Sequence, residues 1–394
     1  MRQWHHLLGL ALMFGALPGC NASPPAKPAA QVAAAPSPRD DGNLALFAGK
    51  LRNAGRAPVA IVQLGDSHTA ADLFSGELRR LLQARYGDGG IGLLPATAVP
   101  GTRNDRVIID SDRRQWQLVS ARNQQSSQFP LGGYLSLPLV DRPSVALRPR
   151  DPDAQRYRVS ALYQASRNST LVAAGTQRRM LPASDGQWRL SPAFVNLGLP
   201  LQLGVEGAQG VALGGWYVQG QKSAGVTYSA LGINGARQDV VDKWQPGWQQ
   251  TLVALRPDLV ILAYGTNEAF DDTLDLALYQ AQLDATLTRL RQDLPKAAIL
   301  LVGPPDSIKQ RKARSCAARQ PRPLADVVRI QRQLAQRHKA LFWDWQGYMG
   351  GPCSIAAWQA GGLARPDLVH LTAEGYRKSA AGLYAFLKGP LGIR

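Results

Sequence analysis

Short apolar segments alternate with amphipathic segments in two parts of the chain. Residues 59–64 form a mostly apolar run between Pro58 and Gly65, which are boundaries typical of a buried strand, and residues 71–86 carry apolar side chains at helical spacing. The alternation returns later, with predicted strands at 259–264, 298–302 and 341–344 and predicted helices at 274–290, 324–339 and around 376–387. Strands that alternate with helices predict an α/β domain, whose parallel sheet is covered by helices on both faces.

The middle of the chain has a different texture. Residues 102–213 contain many Gly, Pro and Asp turn signals, and apolar side chains alternate with polar ones at 157–163 and 199–205. This pattern predicts a β-sandwich domain inserted into the α/β domain, which then comprises residues 42–101 and 214–394. The alternative is that the middle region is an elaborated set of loops of the main domain.

Residues 1–20 are typical of an export signal. An apolar run at 7–16 is shorter than the roughly 20 residues that cross a bilayer, so it indicates a removable signal rather than a lasting span. A small residue followed by Cys20 resembles a bacterial lipobox, which implies that Cys20 is lipidated and becomes the first residue of the mature protein. Pro18 departs from that pattern, and plain secretion is the alternative.

The segment after the signal is rich in Ala and Pro. Residues 21–41 show no apolar periodicity, which predicts a flexible tether between a membrane anchor and the folded domains. We therefore expect an exported protein of the periplasm or cell envelope, attached to a membrane through its lipid. Asn21 is compatible with sorting to an outer membrane.

Charge and cysteines narrow the expected partners. The 394 residues carry a formal net charge of +17, which favours an anionic partner such as a cell-wall polymer. The positive residues are scattered and no basic run is interleaved with aromatics, so we expect no nucleic acid. Cys316 and Cys353 remain beyond the signal, and in an oxidising compartment they predict a disulfide; two free buried thiols are the alternative.

Three histidines beyond the signal are candidates for a catalytic base. His338 lies in a basic amphipathic helix, which favours a solvated or boundary position. His68 adjoins Ser67, and neighbouring side chains on a turn usually diverge. His370 follows Asp367 by three residues, so one turn brings a carboxylate to the imidazole, where it fixes the tautomer and stabilises the imidazolium.

Ser67 stands at the carboxyl end of the first predicted strand, just before a predicted helix. Ligands of open α/β sheets bind beyond the carboxyl ends of the strands, and a helix start offers free backbone NH groups to an oxyanion. Ser67 is therefore a candidate nucleophile. The alternative is that Asp66 or Ser67 only caps the helix.

Four short motifs in a fixed order add to this picture, and together they resemble the SGNH hydrolases, also called the GDSL esterase family. They are Gly65-Asp66-Ser67, the glycine turn from Gly232 to Gly235, Gly265-Thr266-Asn267-Glu268, and the Asp367-to-His370 block. The resemblance implies an SGNH-type parallel sheet flanked by helices. It also implies acyl transfer to a serine.

Carried over to this chain, the resemblance implies that Ser67 is the nucleophile, His370 the general base and acid, and Asp367 its orienting carboxylate. The oxyanion hole would combine the backbone NH groups of Ser67 and Gly235 with the side-chain amide of Asn267, with Gly232 as the competing glycine. No cofactor is implied. A metal is not expected, because Glu268 beside Asn267 makes no ligand set.

The resemblance extends to the peptidoglycan O-acetylesterases of bacterial envelopes, through residues 65–95 and 349–354. It implies a carbohydrate-binding-like β-domain as the insert, and removal of O-acetyl groups from O-acetylated peptidoglycan as the reaction. The alternatives are an O-acetyltransferase, an esterase of another acetylated polysaccharide, and a non-catalytic wall-binding lipoprotein. For Trp116, Tyr134 and Trp188 we favour the sandwich core over stacking on sugars.

Overall fold

The computed structural model describes residues 42–125 and 128–393. The predicted signal, the predicted lipidation site Cys20 and the predicted tether at 21–41 lie outside these residues. Within the described part of the chain, no helix combines the length and the apolar character needed to cross a bilayer.

Strands and helices alternate at both ends of the described chain, and strands fill its middle. The strands are β1 (Pro58–Gly65), β2 (Gly90–Leu94), β3 (Val107–Ser111), β4 (Trp116–Ser120), β5 (Tyr134–Pro138), β6 (Ser144–Pro149), β7 (Tyr157–Ala165), β8 (Ser169–Ala173), β9 (Gln177–Leu181), β10 (Arg189–Leu190), β11 (Phe194–Leu197), β12 (Leu201–Glu206), β13 (Val211–Gly220), β14 (Gly225–Gly232), β15 (Leu259–Ala263), β16 (Ala298–Val302) and β17 (Leu341–Trp343). The α-helices are α1 (Asn43–Arg52), α2 (Ser67–Ala70), α3 (Phe74–Tyr86), α4 (Trp248–Ala254), α5 (Thr266–Ala269), α6 (Leu276–Asp293), α7 (Cys316–Arg319), α8 (Leu324–Arg337), α9 (Trp345–Met349), α10 (Ser354–Ala360) and α11 (Ala373–Leu391).

Five parallel strands form the first sheet, in the order β14-β1-β15-β16-β17. Gly65 at the end of β1 lies opposite Gly232 of β14 on one side and Ala263 of β15 on the other. The turns that follow these three strands therefore leave the sheet at the same edge. This is the edge where open α/β sheets bind their ligands.

Helices cover both faces of this sheet, as the alternation of strands and helices predicts. Along β1, Ile61 packs with α1, α3 and α11 on one face, whereas Val62 packs with α4, α6 and α8 on the other. Successive side chains of a strand point to opposite faces, so one apolar run serves two cores. The predicted α/β architecture is confirmed.

Two antiparallel sheets form a β-sandwich. One has the order β10-β7-β13-β5-β4, with β11 added to β7 and β2 added to β13, and the other has the order β3-β6-β12-β8-β9. Buried side chains of both sheets meet in one apolar core, which includes Trp116, Leu147, Tyr163, Leu203 and Trp216. The alternation at 157–163 and 199–205 belongs to β7 and to β12 with the residues before it, and the predicted sandwich is confirmed.

The sandwich and the parallel sheet share buried side chains. Phe129, Tyr134 and Tyr217 pack in the same apolar cluster as Leu64 and Leu231 of the parallel sheet. The antiparallel sheets extend beyond residues 102–213, because β2 precedes that range and β13 runs past it. The boundaries given above for the two domains stay a prediction.

A disulfide joins Cys316 in α7 to Cys353, the residue before α10. The two cysteines are 37 positions apart in the sequence and have a Cα–Cα distance of 5.9 Å. The loop after β16 is therefore tied to the segment that leads into α10, in the pairing that the sequence predicts.

Candidate active site

The turn after β1 gives Asp66 and Ser67 different hydrogen-bond partners. Asp66 precedes α2, and its carboxylate accepts the backbone NH of His68 at 2.9 Å, so Asp66 is the helix cap. Ser67 is the first residue of α2, and its Oγ lies 3.0 Å from Nε2 of His370. The hydroxyl of Ser67 is thus hydrogen-bonded to an imidazole.

A tight turn before α11 pairs His370 with Asp367. Nδ1 of the ring lies 2.9 Å from Oδ2 of Asp367, while Oδ1 accepts the backbone NH groups of Val369 and His370, both at 2.9 Å. Partial burial alone would raise the pKa of the Asp367 carboxyl, but these hydrogen bonds outweigh it and hold that pKa below its ordinary value. Asp367 is therefore anionic at neutral pH and fixes Nδ1–H toward itself, which leaves Nε2 to accept from Ser67.

The other two histidines have different environments. His68 is buried, its Nδ1 lies 2.8 Å from the Tyr376 hydroxyl, and burial lowers its pKa to about 3. An imidazole with that pKa stays neutral through catalysis at neutral pH. Nε2 of His338 lies 2.5 Å from Oδ1 of Asp284, a residue of α6. His370 is the histidine whose ring reaches the Ser67 hydroxyl.

The predicted oxyanion donors lie on turns at the same sheet edge. Gly235, with a φ of +73°, closes the turn after β14, and Asn267 lies in α5 after β15. Nδ2 of Asn267 donates to the carbonyl of Ala236 at 2.8 Å, which ties its amide to the Gly235 turn. A primary amide has two N–H donors, and this contact uses one of them.

The competing glycine, Gly232, has a packing role. A Cβ at this position would lie 2.1 Å from the backbone nitrogen of Ala70, and its carbonyl accepts the Tyr134 hydroxyl at 3.2 Å. Gly232 therefore allows β14 to approach α2 closely, and its carbonyl is bound to the sandwich. These contacts explain the glycine at 232 through packing, and Gly235 as the oxyanion donor stays a prediction.

Two buried carboxyl groups lie beneath the site. Asp66 and Glu268 are each about 1% exposed. Burial, strengthened at Asp66 by the nearby Glu268 carboxyl, raises the pKa of each to about 7. Oε1 of Glu268 accepts the backbone NH of Gln238 at 2.7 Å, and Oε2 has no hydrogen-bond partner among the described residues. Ionising this carboxyl in the folded state is therefore costly.

Replacing Glu268 with Gln is expected to flatten the decline of stability with rising pH. The pKa of Glu268 rises from 4.5 to about 7 on folding, so the folded state binds this proton more tightly and stability falls as pH climbs through that interval. Gln keeps the acceptor for Gln238 and cannot ionise. Urea unfolding at about pH 5 and about pH 8 should show a smaller drop in unfolding free energy for Glu268→Gln than for the wild type.

The matched control for that comparison is Glu374→Gln. Glu374 lies on the surface of α11 in an ion pair with Arg377, so this variant should retain the wild-type slope. An equal drop in the Glu268→Gln variant and the wild type would contradict a raised pKa for Glu268.

Two of the three aromatic residues considered for sugar stacking are core residues. Trp116 is 4% exposed and donates to the carbonyl of Ser144, and Tyr134 is 8% exposed. Trp188 is partly buried against the core cluster around the sheet. The preference for the sandwich core is thus confirmed for Trp116, whereas Tyr134 is buried in the cluster that the sandwich shares with the parallel sheet. Separately, no group of three His, Cys, Asp or Glu side chains among the described residues is arranged to hold a metal.

Sequence reasoning missed two contacts of this site. Tyr376 was predicted only as part of the apolar face of the last helix, yet its hydroxyl bonds to the ring of His68. Arg311 was not predicted as a residue of the site, although its guanidinium donates to the backbone carbonyl of Asp367 at 3.0 Å. The hydroxyl of Tyr376, on an otherwise apolar helix face, is the one sequence feature that could have indicated its contact with His68. No sequence pattern indicates the contact of Arg311 with Asp367.

Two family descriptions match adjacent parts of the chain. The family described as "Peptidoglycan O-acetylesterase, N-terminal" matches residues 89–202, and the GDSL-like lipase/acylhydrolase family matches residues 204–378. The second range contains Gly235, Asn267, Asp367 and His370. Ser67 precedes both ranges, because the β-sandwich separates it from the rest of the parallel sheet.

Solved structures add a likeness over nearly the whole chain. One described as a peptidoglycan O-acetylesterase in action is 33% identical, covers 90% of this chain and 98% of its own, and has a TM-score of 0.78. An acetylxylan esterase from Geobacillus stearothermophilus is 19% identical over 43% of this chain and 74% of its own, with a TM-score of 0.32. No curated protein sequence matches the chain. On the first of these likenesses and the two family matches, the chain belongs to the peptidoglycan O-acetylesterase family, with a GDSL-like acylhydrolase part.

Proposed function

We propose that this protein is a serine esterase that removes O-acetyl groups from peptidoglycan through an acetyl-enzyme on Ser67. One observation carries the proposal. Ser67, His370 and Asp367 form a continuous hydrogen-bonded chain, with 3.0 Å from Oγ to Nε2 and 2.9 Å from Nδ1 to Oδ2. In a chain of this family, that arrangement supports acyl transfer to the serine.

The first half of the proposed reaction acylates Ser67. Its Oγ attacks the carbonyl carbon of an acetyl ester while Nε2 of His370 takes the hydroxyl proton, and Asp367 stabilises the resulting imidazolium. The negative charge on the carbonyl oxygen is met by the backbone NH groups of Ser67 and Gly235 and by the Asn267 amide. Collapse of the tetrahedral intermediate breaks the ester bond, and His370 gives the proton to the departing sugar oxygen, which leaves as a hydroxyl.

The second half frees the enzyme. A water molecule gives a proton to Nε2 of His370 and attacks the acetyl carbonyl, with the same donors on the oxyanion. Breaking the bond to Oγ releases acetate, and His370 returns the proton to Ser67. The released carboxylic acid then loses its proton to solvent.

Replacing Asn267 with Ala is expected to lower kcat by roughly 10²- to 10³-fold, as loss of one oxyanion donor typically does. KM should change little, because the amide acts mainly on charge that develops in the transition state. The measurement is steady-state hydrolysis of a small aryl acetate.

The control for that variant is Asn234→Ala, on the same turn as Gly235. The Asn234 amide donates to the carbonyl of Gly101 at 2.9 Å and has no proposed part in the oxyanion hole. The decrease in kcat of Asn234→Ala should therefore be much smaller than that of Asn267→Ala. An Asn267→Ala enzyme with the wild-type kcat would remove Asn267 from the proposed oxyanion hole.

The substrate is tested by acetate release from three polymers: O-acetylated peptidoglycan, the same material after chemical deacetylation, and acetylated xylan. We expect rapid release from the first, none from the second, and slower release from the third. The reaction is run without added glycan acceptor, so that a transferase, which needs one, is separated from a hydrolase. Equal release from xylan would point to an esterase of acetylated polysaccharides in general.

We also propose that the protein acts outside the cytoplasm, in the periplasm or cell envelope, on a lipid anchor at Cys20. The substrate supports this location, since peptidoglycan lies there, and so do the cysteine before the Ala- and Pro-rich tether and the disulfide between Cys316 and Cys353. Metabolic labelling with a fatty-acid analogue tests the anchor, with Cys20→Ala as the unlabelled control.

A further inference from the structure

The loop after β16 carries charge that the proposed reaction does not use. Between Asp306 and Asp326 the chain has six Lys or Arg residues and no Asp or Glu. Much of this segment is exposed, and the disulfide from Cys316 to Cys353 holds it in place.

Two contacts place this loop along the edge of the active site. On one side, Nζ of Lys309 donates to the carbonyl of Phe270 at 2.7 Å, three residues after Asn267. On the other side, the backbone NH of Ile308 donates to the carbonyl of Leu368 at 3.0 Å, and Arg311 donates to that of Asp367, also at 3.0 Å. The loop therefore runs from the helix of the oxyanion donor to the turn of the catalytic base.

Four exposed cations lie on this loop and on the turn of the base, and we call them the basic rim. They are Arg311, Lys312 and Arg314 on the loop, with Arg365 on the turn itself. Lys309, by contrast, is neutralised by Asp272 at 2.8 Å. Among the described residues no carboxylate lies within ion-pair distance of a rim side chain. The rim is therefore a positive surface with no ion-pair partner among the described residues.

We infer that the basic rim binds the carboxylates of the peptide stems of peptidoglycan and so selects substrate that still carries its stems. The inference rests on the proposed function and deepens it. Each muramic acid residue of peptidoglycan bears a peptide through its lactyl group, and these peptides have free carboxylates. Arginine and lysine on the edge of a site attract and orient such groups.

The position of the rim favours stems over an anionic membrane surface. Arg311 is hydrogen-bonded to the residue that orients His370, so a ligand of the rim lies beside the acetyl group under attack. A phospholipid surface at that place would cover the active site. A carboxylate on the same glycan strand would instead hold the ester in the site.

The test uses the full-length chain and compares two soluble substrates. One is O-acetylated muropeptides, and the other is the same material with its carboxylates capped as neutral amides by a carbodiimide and ethanolamine. The variant is Lys312→Glu with Arg314→Glu, which leaves the contact of Arg311 with Asp367 intact. Hydrolysis of a neutral aryl acetate reports the state of the catalytic groups.

The wild type should prefer native over capped muropeptides through a lower KM. The double variant should lose that preference, with KM for native muropeptides rising roughly three- to thirtyfold relative to its KM for aryl acetate, as expected for two exposed charge pairs reversed. Raising the ionic strength from about 0.1 to about 1 M, which shortens the screening length from about 10 to about 3 Å, should weaken the preference of the wild type and leave the variant nearly unaffected.

The matched control reverses two exposed lysines at the opposite edge of the sheet. Lys222 lies in the turn before β14 and Lys296 just before β16, both at the amino ends of the strands. Lys222→Glu with Lys296→Glu changes the net charge by the same amount and should keep the wild-type preference. If it loses the preference equally, net charge rather than the rim is responsible and the inference fails.

Other outcomes separate this inference from the proposed function. Equal release of acetate from native and capped muropeptides would overturn the inference that the rim binds stem carboxylates, and the proposed esterase function would stand. Hydrolysis of aryl acetate with no acetate from either muropeptide would overturn the proposed function instead. A double variant that keeps its preference for native muropeptides but no longer sediments with phosphatidylglycerol vesicles would assign the rim to a membrane, against the inference.

Discussion

Replacing Ser67 with Ala is expected to lower kcat for aryl acetate hydrolysis by at least about 10⁴-fold, because the variant lacks the hydroxyl that is hydrogen-bonded to His370 and forms the acetyl-enzyme. The substitution removes only Oγ, whose hydrogen bond is to His370. Stability should change by no more than about 1 kcal/mol, the usual net contribution of one such bond. His370→Ala should cause a loss of similar size, since the two residues act as a unit.

The control for Ser67→Ala is Ser169→Ala in strand β8 of the sandwich. Its hydroxyl donates to the carbonyl of Gly207 at 2.8 Å, so the variant loses a comparable bond far from the parallel sheet. Turnover should stay at the wild-type rate. Unchanged turnover in either Ser67→Ala or His370→Ala would refute the assignment of the nucleophile and the base.

Replacing Asp367 with Asn is expected to lower kcat by up to about 10⁴-fold. The Asn carbonyl keeps the bonds to the backbone NH groups of Val369 and His370, so the turn is preserved. The NH₂ group of the Asn, however, donates to Nδ1 of His370 and forces the proton of the ring onto Nε2. Nε2 can then no longer accept the hydroxyl proton of Ser67. The Asp367 side chain is 43% exposed, so water can partly replace the carboxylate as a partner of the ring. The decrease in kcat should therefore be at or below about 10⁴-fold.

A thermal unfolding measurement distinguishes this effect from a folding defect. The variant should keep the unfolding midpoint within a few degrees of the wild type while kcat falls. Asp326→Asn, which removes a carboxylate paired with Arg329 on the surface of α8, serves as the matched control. Full activity of Asp367→Asn across the pH range would show that His370 does not depend on this carboxylate.

Much of the site could be predicted because three of the four motifs follow a strand and the fourth is a single turn. The sequence indicates where β1 and β15 end, and parallel strands place those ends at one edge, in agreement with the pairing of Ser67 and Asn267 that the family resemblance implies. The Asp367-to-His370 spacing predicts its own contact, because a turn of three residues brings the two side chains together. Local rules sufficed for these parts.

Other parts depend on contacts between distant segments, which no local pattern encodes. Strand β14 has polar residues such as Thr227 and Ser229 on a buried strand, where Thr227 bonds to the carbonyl of Gly89 and Ser229 to the backbone NH of Leu93. A predicted strand needs an apolar run, and here hydrogen bonds to the sandwich satisfy the hydroxyls instead. The strand was therefore missed, although the glycine turn at its end was found.

The helix predicted at 71–86 shows the same limit. Its amphipathic face is correct for α3, but the chain breaks at Asp72, whose φ is +45°. The Asp72 carboxylate bonds to Ser75 at 2.7 Å and pairs with the buried Arg79 at 2.6 Å, so a buried ion pair fixes the break. Helical periodicity describes side chains that face an apolar core and does not reveal such a pair.

The most direct test of the central claim is to titrate Ser67 with a fluorophosphonate, which phosphonylates an activated serine, while measuring acetate release from O-acetylated peptidoglycan. Mass spectrometry of the digested protein gives the fraction of chains labelled on Ser67. We expect acetate release to fall in proportion to that fraction and to vanish at one label per chain. Acetate release that persists with Ser67 fully labelled, or that is absent from the unlabelled protein, would contradict this expectation.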